Sequence, residues 1–270
     1  MLQPATRDIS GSNKAKLAHF FAQLSRAPAR ALLLDYDGTL APFHQQRENA
    51  LPYPRVAELL KKLSPTGTRL VIATGRPAKE AALFLRGQSI EIWGSHGLER
   101  LRPNGSYELA KLDPGVVKRL SEVNELLLKE GLGCLLERKP SGTAIHWRGL
   151  ESTDRLRERV EQVWSSLPTR EGLRLMPFDG GMEILTSART KRDVVRTLLS
   201  EMRKGACVAY LGDDQTDEDA FAALQGFGLS VLVQEKYRPT VADVWIRPPE
   251  GLIAFLSDWV RACERPSVTT

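Results

Sequence analysis

The chain has 270 residues, 42% of them hydrophobic and 26% charged, and its 38 Lys+Arg against 33 Asp+Glu leave a formal net charge of +5. That balance is ordinary for a globular protein and excludes a disordered, collagen-like or coiled-coil chain; no apolar run approaches the roughly 20 residues that cross a bilayer. At about 150 residues per domain, the length suits one large or two modest domains.

Taken in chain order, residues 1–8 lack the apolar segment of a secretory leader, which points to a cytoplasmic protein. A continuously apolar run at 31–34 predicts a strand covered on both faces, and runs at 69–73, 206–211 and 229–233 repeat it. Amphipathic helical patterns accompany them at 56–63, 77–85, 190–202 and 217–224. Strands alternating with helices predict an α/β unit with a mostly parallel sheet. The middle of the chain is patterned differently. Asp113 before Pro114 is an N-cap with a first-turn proline, and Val116, Val117, Leu120, Val123 and Leu127 then follow a helical period. A hairpin is expected from 133–138 to 143–148 about a turn at 139–142. A helix presenting Leu156, Val160, Val163, Trp164 and Leu167 follows, then two short strands near 173–177 and 181–185. This block predicts an α+β domain at 109–187, inserted into an α/β domain made of residues 1–108 and 188–270.

Cys134, Cys207 and Cys263 form no disulfide or zinc pattern and sit among apolar neighbours, so they read as reduced packing residues. Basic residues are dispersed. The densest stretch, Arg155-Leu156-Arg157-Glu158-Arg159, is broken by acid and reads as a solvated helix face. A monomer with neither a nucleic-acid nor a membrane partner is expected.

Leu34-Asp35-Tyr36-Asp37-Gly38-Thr39-Leu40 directly follows the first apolar run. Carboxylates at i and i+2 leave a strand end on the same side, where open α/β sheets bind ligands. Charge there needs a cation or solvent, and Asp-Gly is also common turn chemistry. A second acidic group, Asp213, Asp214, Asp217, Glu218 and Asp219, follows the run at 206–211. Converging carboxylates repel unless a cation joins them, and hard oxygen ligands that leave room for water and phosphate suit Mg²⁺. Asp213 is the foremost ligand candidate. Asp217 can equally cap the following helix, and Glu218 and Asp219 suit its first turn through the dipole. Thr74-Gly75-Arg76-Pro77 ends a strand and opens a helix, so its hydroxyl and free N–H groups make an anion site or, for Thr74, a plain N-cap. Lys191 opens a helix whose dipole opposes a cation. A bound phosphate would explain it, with neighbouring Arg192 as the alternative.

Asp35-Tyr36-Asp37-Gly38-Thr39, Thr74-Gly75-Arg76, Lys191 and Gly212-Asp213-Asp214 stand in the order of the four motifs of haloacid dehalogenase-type (HAD) phosphatases, which the chain resembles over nearly its whole length. The resemblance implies a Rossmann-like core with the middle block as its cap. Within that superfamily the chain is similar to the trehalose-6-phosphate phosphatases. Gly94-Ser95-His96-Gly97-Leu98-Glu99 looks like their Gly-x-His-Gly-x-Glu segment, and Glu137-Arg138-Lys139 with His146-Trp147-Arg148 resembles their cap signature. Glu183 and Lys191 keep the family's spacing. Leu185-Thr186 departs from its usual Arg-Pro, and Thr190-Lys191-Arg192 from its usual acid or Asn followed by Lys-Gly.

By that resemblance Asp35 is the nucleophile that forms an aspartyl-phosphate, and Asp37 is the general acid/base. Thr74, Gly75 and Lys191 hold the phosphoryl oxygens. Mg²⁺ is bound by Asp35, Asp213 and Asp37, the last through its carbonyl, while Asp214 and Asp217 orient the metal's surroundings. Glu137, Lys139, Glu183, His96 and Arg148 bind the sugar. Plainer roles compete with these: a hydrogen-bonded strand histidine at His146, a surface ion pair between Glu137 and Lys139, exposed strand residues at Arg138 and Arg148. Trp93 and Trp147 read as packing. The expected partner is a small sugar phosphate: trehalose 6-phosphate first, then sucrose 6-phosphate or a glucosyl- or mannosyl-glycerate phosphate. A phosphate-responsive receiver module without turnover is the reading from another class.

Overall fold

The structure, a computed structural model, describes residues 9–85, 88–151 and 153–264; residues 1–8, on which the leader reading rests, lie outside the described residues. From the N-terminus, α1 (Ile9–Leu24) leads to β1 (Arg30–Leu34), α2 (Pro54–Leu63), β2 (Thr68–Ala73), α3 (Ala78–Phe84), β3 (Glu91–Gly94), β4 (Glu99–Leu101) and β5 (Tyr107–Leu109). The middle block is α4 (Pro114–Lys129), β6 (Leu136–Lys139), β7 (Gly142–His146), α5 (Thr153–Ser166), β8 (Leu173–Phe178) and β9 (Gly181–Thr186). The chain ends with α6 (Lys191–Glu201), β10 (Cys207–Gly212), α7 (Gln215–Leu224), β11 (Leu229–Val233), β12 (Val244–Ile246) and α8 (Glu250–Glu264). This is the α/β architecture that the alternation predicts.

Eight strands form one sheet in the order β12-β11-β10-β1-β2-β3-β4-β5. The first six are parallel, and β4 and β5 add an antiparallel edge. The central strands are mostly apolar because both faces are covered. Leu32, Leu34, Leu70 and Ile72 pack with α1, α2 and α8, whereas Ala31, Leu33 and Val71 pack with α6 and α7. Each such leucine contributes roughly 1.5–3 kcal/mol by leaving water.

Six elements go beyond the expected set: α1, α8, β3, β4, β5 and β12. Helices α1 and α8 pack together through an aromatic cluster, with Phe20 5.7 Å from Trp259 and 6.5 Å from Phe255, ring centre to ring centre. Trp259 is fully buried, and its indole N–H donates to Thr68 Oγ1 at 3.1 Å. Among the described residues, no helix is long and apolar enough to cross a membrane.

The middle block builds a separate four-stranded antiparallel sheet, β6-β7-β9-β8. Residues 133–135 form a 3-10 turn rather than the expected strand, and Lys139 pairs with Gly142, so the hairpin turn is only Pro140-Ser141. Asp113 caps α4 as expected, accepting from the N–H groups of Gly115 and Val116. One face of this sheet is apolar: Ile145, Met182 and Ile184 pack under Val123 and Leu127 of α4 and Val160 and Val163 of α5. Because side chains alternate along a strand, Glu137, Lys139, His146 and Glu183 project from the opposite face. Trp93 and Trp147 are buried in packing, as expected. Cys134 is a correction: it is exposed, and only Cys207 is a buried thiol.

Candidate active site

Strand β1 lies between β10 and β2, with Leu34 in register with Leu211 on one side and Ile72 on the other. The residues just past these positions therefore emerge together at the carboxyl edge: Asp35 from β1, Asp213 from β10 and Thr74 from β2. The Asp35 N–H still donates to the Leu211 carbonyl, at 2.8 Å, which fixes where the carboxylate leaves the sheet.

Asp35, Asp213 and Asp217 are buried, and each offers an oxygen within 4.8 Å of the others. Their environments differ. The carboxylate of Asp217 is saturated: Oδ1 accepts from Lys191 Nζ at 2.7 Å and Tyr210 Oη at 2.6 Å, and Oδ2 accepts from the N–H groups of Asp213 and Asp214 at 3.0 Å each. It organises the loop and anchors Lys191. Asp213, 3% exposed, accepts only from the Thr39 hydroxyl at 3.3 Å, and no cationic side chain among the described residues pairs with it. Burial and then the neighbouring Asp35 and Asp217 charges push its carboxyl well above the usual range. Burial likewise raises Asp35 to about 7, against the opposing pull of Lys191, whose Nζ lies 2.8 Å from Asp35 Oδ1. Three buried acids with one lysine, held between Asp35 and Asp217, leave a deficit of positive charge, and oxygen ligands of this kind fit a hard divalent cation. Gly38 belongs to the same pocket: its φ of +81° favours glycine, and a Cβ there would collide with the Asp213 carboxylate.

Lys191 enters the site from the first turn of α6. Thr190 caps that helix in a reciprocal box with Asp193, so the lysine is placed by the cap and held by Asp35 and Asp217. Arg192 turns away to Asp219, at 2.8 Å, and of the two basic candidates Lys191 is the one that lines the cleft. Asp214 caps α7 and also lines the cleft, whereas Asp217 is the third residue of that helix rather than its cap.

Thr74 and Gly75 form a tight loop at the end of β2. The Thr74 hydroxyl accepts from the Arg76 N–H at 3.1 Å, and the Thr74 carbonyl accepts from the His96 N–H at 2.9 Å. A Cβ on Gly75 would lie 2.8 Å from the His96 ring. Ser95 and His96 both have left-handed backbones, with φ of 48° and 58°. Such conformations cost about 1–3 kcal/mol each in non-glycine residues. They are held by the Ser95 N–H donating to the Arg76 carbonyl at 2.8 Å and by the Ser95 hydroxyl donating to Glu99 at 2.5 Å. Glu99 is thus a fastener, and the segment it fastens presents His96 to the cleft.

The charged face of the small sheet closes over this edge. Glu183 Oε2 meets His96 Nε2 at 3.1 Å, and its Oε1 lies 3.1 Å from Lys139 Nζ. Burial would raise Glu183, but Lys139 and His96 hold its carboxyl well below the usual range. Burial lowers His96, with Glu183 pulling the other way. Glu137 does not pair with Lys139. It meets His146 Nε2 at 2.7 Å and the Arg47 guanidinium, and these with Lys139 overcome burial to bring it to about 2. Arg148 donates to the His44 carbonyl at 2.8 Å and stacks over Phe43, so it is no free strand residue; Arg138 is exposed.

The resulting cleft between the two sheets has a cavity volume of about 120 Å³. Of the expected site residues, Asp35, Asp37, Thr74, Gly75 and Lys191 line it from the core. His96, Lys139, Arg148, Glu183 and Asp214 also line it. Asp213 and Asp217 are buried behind it, and Glu137 lies beside it. The lining holds five carboxylates, five Lys or Arg side chains and two histidines. Leu185 and Thr186, where the chain departs from the resembled pattern, are buried outside the lining. Sequence reasoning missed Phe43, Arg47, Phe178 and Asp179, and it gave no separate role to Arg76, which grips both Asp37 oxygens at 2.7 Å. Phe178 has a signal in the alternation of β8; the segment carrying Phe43 and Arg47 has no periodicity to read.

The family described as trehalose-phosphatase matches residues 33–242. A bifunctional trehalose-6-phosphate synthase/phosphatase of Thermoproteus tenax is 28% identical over 259 residues, covering 94% of this chain and 35% of that protein. A probable trehalose-phosphate phosphatase of Oryza sativa is 26% identical over 264 residues, covering 92% of this chain and 71% of that protein. The chain thus spans about a third of the Thermoproteus relative's length. The C-terminal domain of a C. albicans trehalose-6-phosphate phosphatase shares the fold, with a TM-score of 0.77 at 19% identity over 91% of this chain and 96% of that one. By the extent of the family match, this chain belongs to the trehalose-phosphatase family.

Proposed function

We propose that this chain is a monomeric, cytoplasmic Mg²⁺-dependent phosphatase that hydrolyses trehalose 6-phosphate through an aspartyl-phosphate. The observation that carries the reading is the convergence of Asp35, Asp213 and Lys191 at one sheet edge beneath the charged face carrying Lys139 and Glu183. Asp35 attacks phosphorus in line, since a carboxylate is a competent nucleophile and its acyl phosphate hydrolyses readily. Asp37 gives a proton to the departing sugar oxygen and afterwards takes one from the attacking water. Lys191, the Thr74 hydroxyl and the Gly75 N–H hold the phosphoryl oxygens. The metal would be held by the Asp35 and Asp213 carboxylates and the Asp37 carbonyl, with Asp214 and Asp217 orienting its surroundings, and it supplies charge neutralisation at the transferring phosphoryl group. Glu137, Lys139, Glu183, His96 and Arg148 offer donors and acceptors for sugar hydroxyls. His96 Nδ1 is buried without a hydrogen-bond partner among the described residues, which a hydroxyl would satisfy.

The test is phosphate release from trehalose 6-phosphate, sucrose 6-phosphate and glycosyl-glycerate phosphates, with and without Mg²⁺. A Mg²⁺-dependent preference for the first is expected. Preference for another ester would move the substrate and keep the chemistry; a stable acyl phosphate without turnover would identify a receiver-type module instead.

A further inference from the structure

Arg47 stands outside every motif discussed above, yet it touches both sheets' assemblies. It opens a short 3-10 turn, Arg47–Asn49, in the core segment that follows the first acidic motif. One guanidinium nitrogen meets Glu137 Oε2 on β6, and the other donates to Glu80 Oε1 at 3.1 Å. The same Glu80 oxygen accepts from Arg76 at 2.8 Å. Arg76 in turn holds both oxygens of Asp37 and donates to the Arg47 carbonyl at 3.0 Å. A continuous run of charge-assisted contacts therefore joins the general acid/base to a carboxylate on the sugar side of the cleft.

The run contains a shared acceptor. Glu80 Oε1 serves Arg47 and Arg76 at once, and Arg47 meets Glu137 with its other guanidinium nitrogen, so Glu137 bears on where Arg47 lies beside Glu80 and Arg76. With Glu137 withdrawn, Arg47 falls back on Glu80 and competes with Arg76 for it. Arg76 has little freedom to adapt elsewhere: it is 2% exposed and packed over the Tyr36 and Phe84 rings. The cap also grips the same core segment at a second point, through Arg148 on His44 and Phe43.

We propose that Arg47 is a positioning residue that couples seating of the small sheet to the orientation of Asp37, through Glu80 and Arg76. The substrates that benefit are sugar phosphates long enough to engage Glu137; an ester too small to reach it does not benefit. The inference deepens the phosphatase reading above and rests on it.

The experiment compares kcat and KM of wild type, Arg47→Ala, Arg47→Lys and Glu80→Gln, each with the sugar phosphate that wild type prefers and with a small aryl phosphate. Arg47→Ala should lower the sugar-to-aryl ratio of kcat/KM about tenfold, mainly through kcat, as coupled neighbours do. Glu80→Gln should move the ratio in the same direction, and Arg47→Lys should restore part of it. Adding Glu137→Gln to Arg47→Ala should lower the ratio no further than Glu137→Gln does alone. An unchanged ratio in Arg47→Ala, or additive losses in the double variant, would overturn the coupling while leaving the phosphatase reading in place. If wild type ignores trehalose 6-phosphate and prefers another sugar ester, the substrate falls and the coupling is judged on that ester. A wild type with no preference for any sugar ester over the aryl one overturns both.

Discussion

Asp213 and Asp217 stand four residues apart with the same side chain, and their neighbours give them opposite tasks. Asp217 spends every acceptor position on Lys191, Tyr210 and two backbone N–H groups. Asp213 is buried beside Asp35 with a single hydroxyl donor. Asp217→Asn should lower the unfolding midpoint, because buried Lys191 keeps only Asp35 as a charged partner and an amide cannot accept from all the donors that the carboxylate serves. Asp213→Asn should instead raise the midpoint of the metal-free protein, because it removes a buried like charge, and should abolish both the Mg²⁺-induced thermal shift and phosphate release. Calorimetry of the two variants with and without Mg²⁺ checks the contrast; equal behaviour would mean that the environments do not assign the roles. Asp35 carries the pH dependence. Its folded value of about 7 exceeds the 3.8 of a free carboxyl, so the folded state holds the extra proton between them. Stability from that source is fully present below about 3.8 and is lost as pH rises through about 7 in the metal-free protein. Mg²⁺ bound at Asp35 would displace the proton, so its affinity should climb with pH over the same window, as titration calorimetry in buffers of different ionisation enthalpy would record. Asp35→Asn should cut phosphate release at least a thousandfold, the scale seen when a nucleophile is removed.

At the scale of elements, the site depends on how strands end and helices begin. Three parallel strands deliver Asp35, Thr74 and Asp213 to one edge, and capping boxes at α6 and α7 fix where Lys191 and Asp217 enter. The small sheet works by alternation: its apolar residues hold α4 and α5, which leaves its other face free for charge. A cap on the helix side should therefore affect stability and not chemistry. Asp113→Ala removes the α4 cap and should cost about 1 kcal/mol, with aryl phosphate turnover unchanged. Denaturant midpoints and aryl phosphate assays test it together; lost turnover at intact stability would mean that α4 reports to the cleft. The alternation was legible in the sequence because period-2 and period-3.6 patterns are local. The hairpin's true start at Leu136 was not, because 133–135 are apolar enough to pass for strand while their glycine favours a turn.

At the scale of the molecule, two sheets meet across one cleft, and the contacts between them span long sequence separations. Glu183 reaches His96, Glu137 reaches Arg47, and Arg148 reaches His44. Charge meets charge across the cleft, where carboxylates of both sheets face Lys and Arg side chains. Lys139→Ala should raise KM for trehalose 6-phosphate by one to two orders of magnitude, the loss expected when a buried charge loses its partner, and should affect a small aryl phosphate far less. Steady-state kinetics on both esters decides it, and equal losses would place Lys139 in phosphate binding rather than sugar recognition.

The sequence by itself determined the α/β class, the inserted block and the positions of Asp35, Asp37, Thr74, Lys191 and Asp213, because each sits at a strand end or helix start whose signals lie within a few residues. It could not show that Asp217 is spent on Lys191, Tyr210 and two backbone N–H groups, that Arg192 turns to Asp219, or find Arg47 and the α1–α8 aromatic cluster. Those distinctions depend on which donors, acceptors and rings come within a few ångströms of each other, and folding brings those partners from up to about 240 positions away. Burial then converts that proximity into large differences in charge energetics, which no local pattern carries.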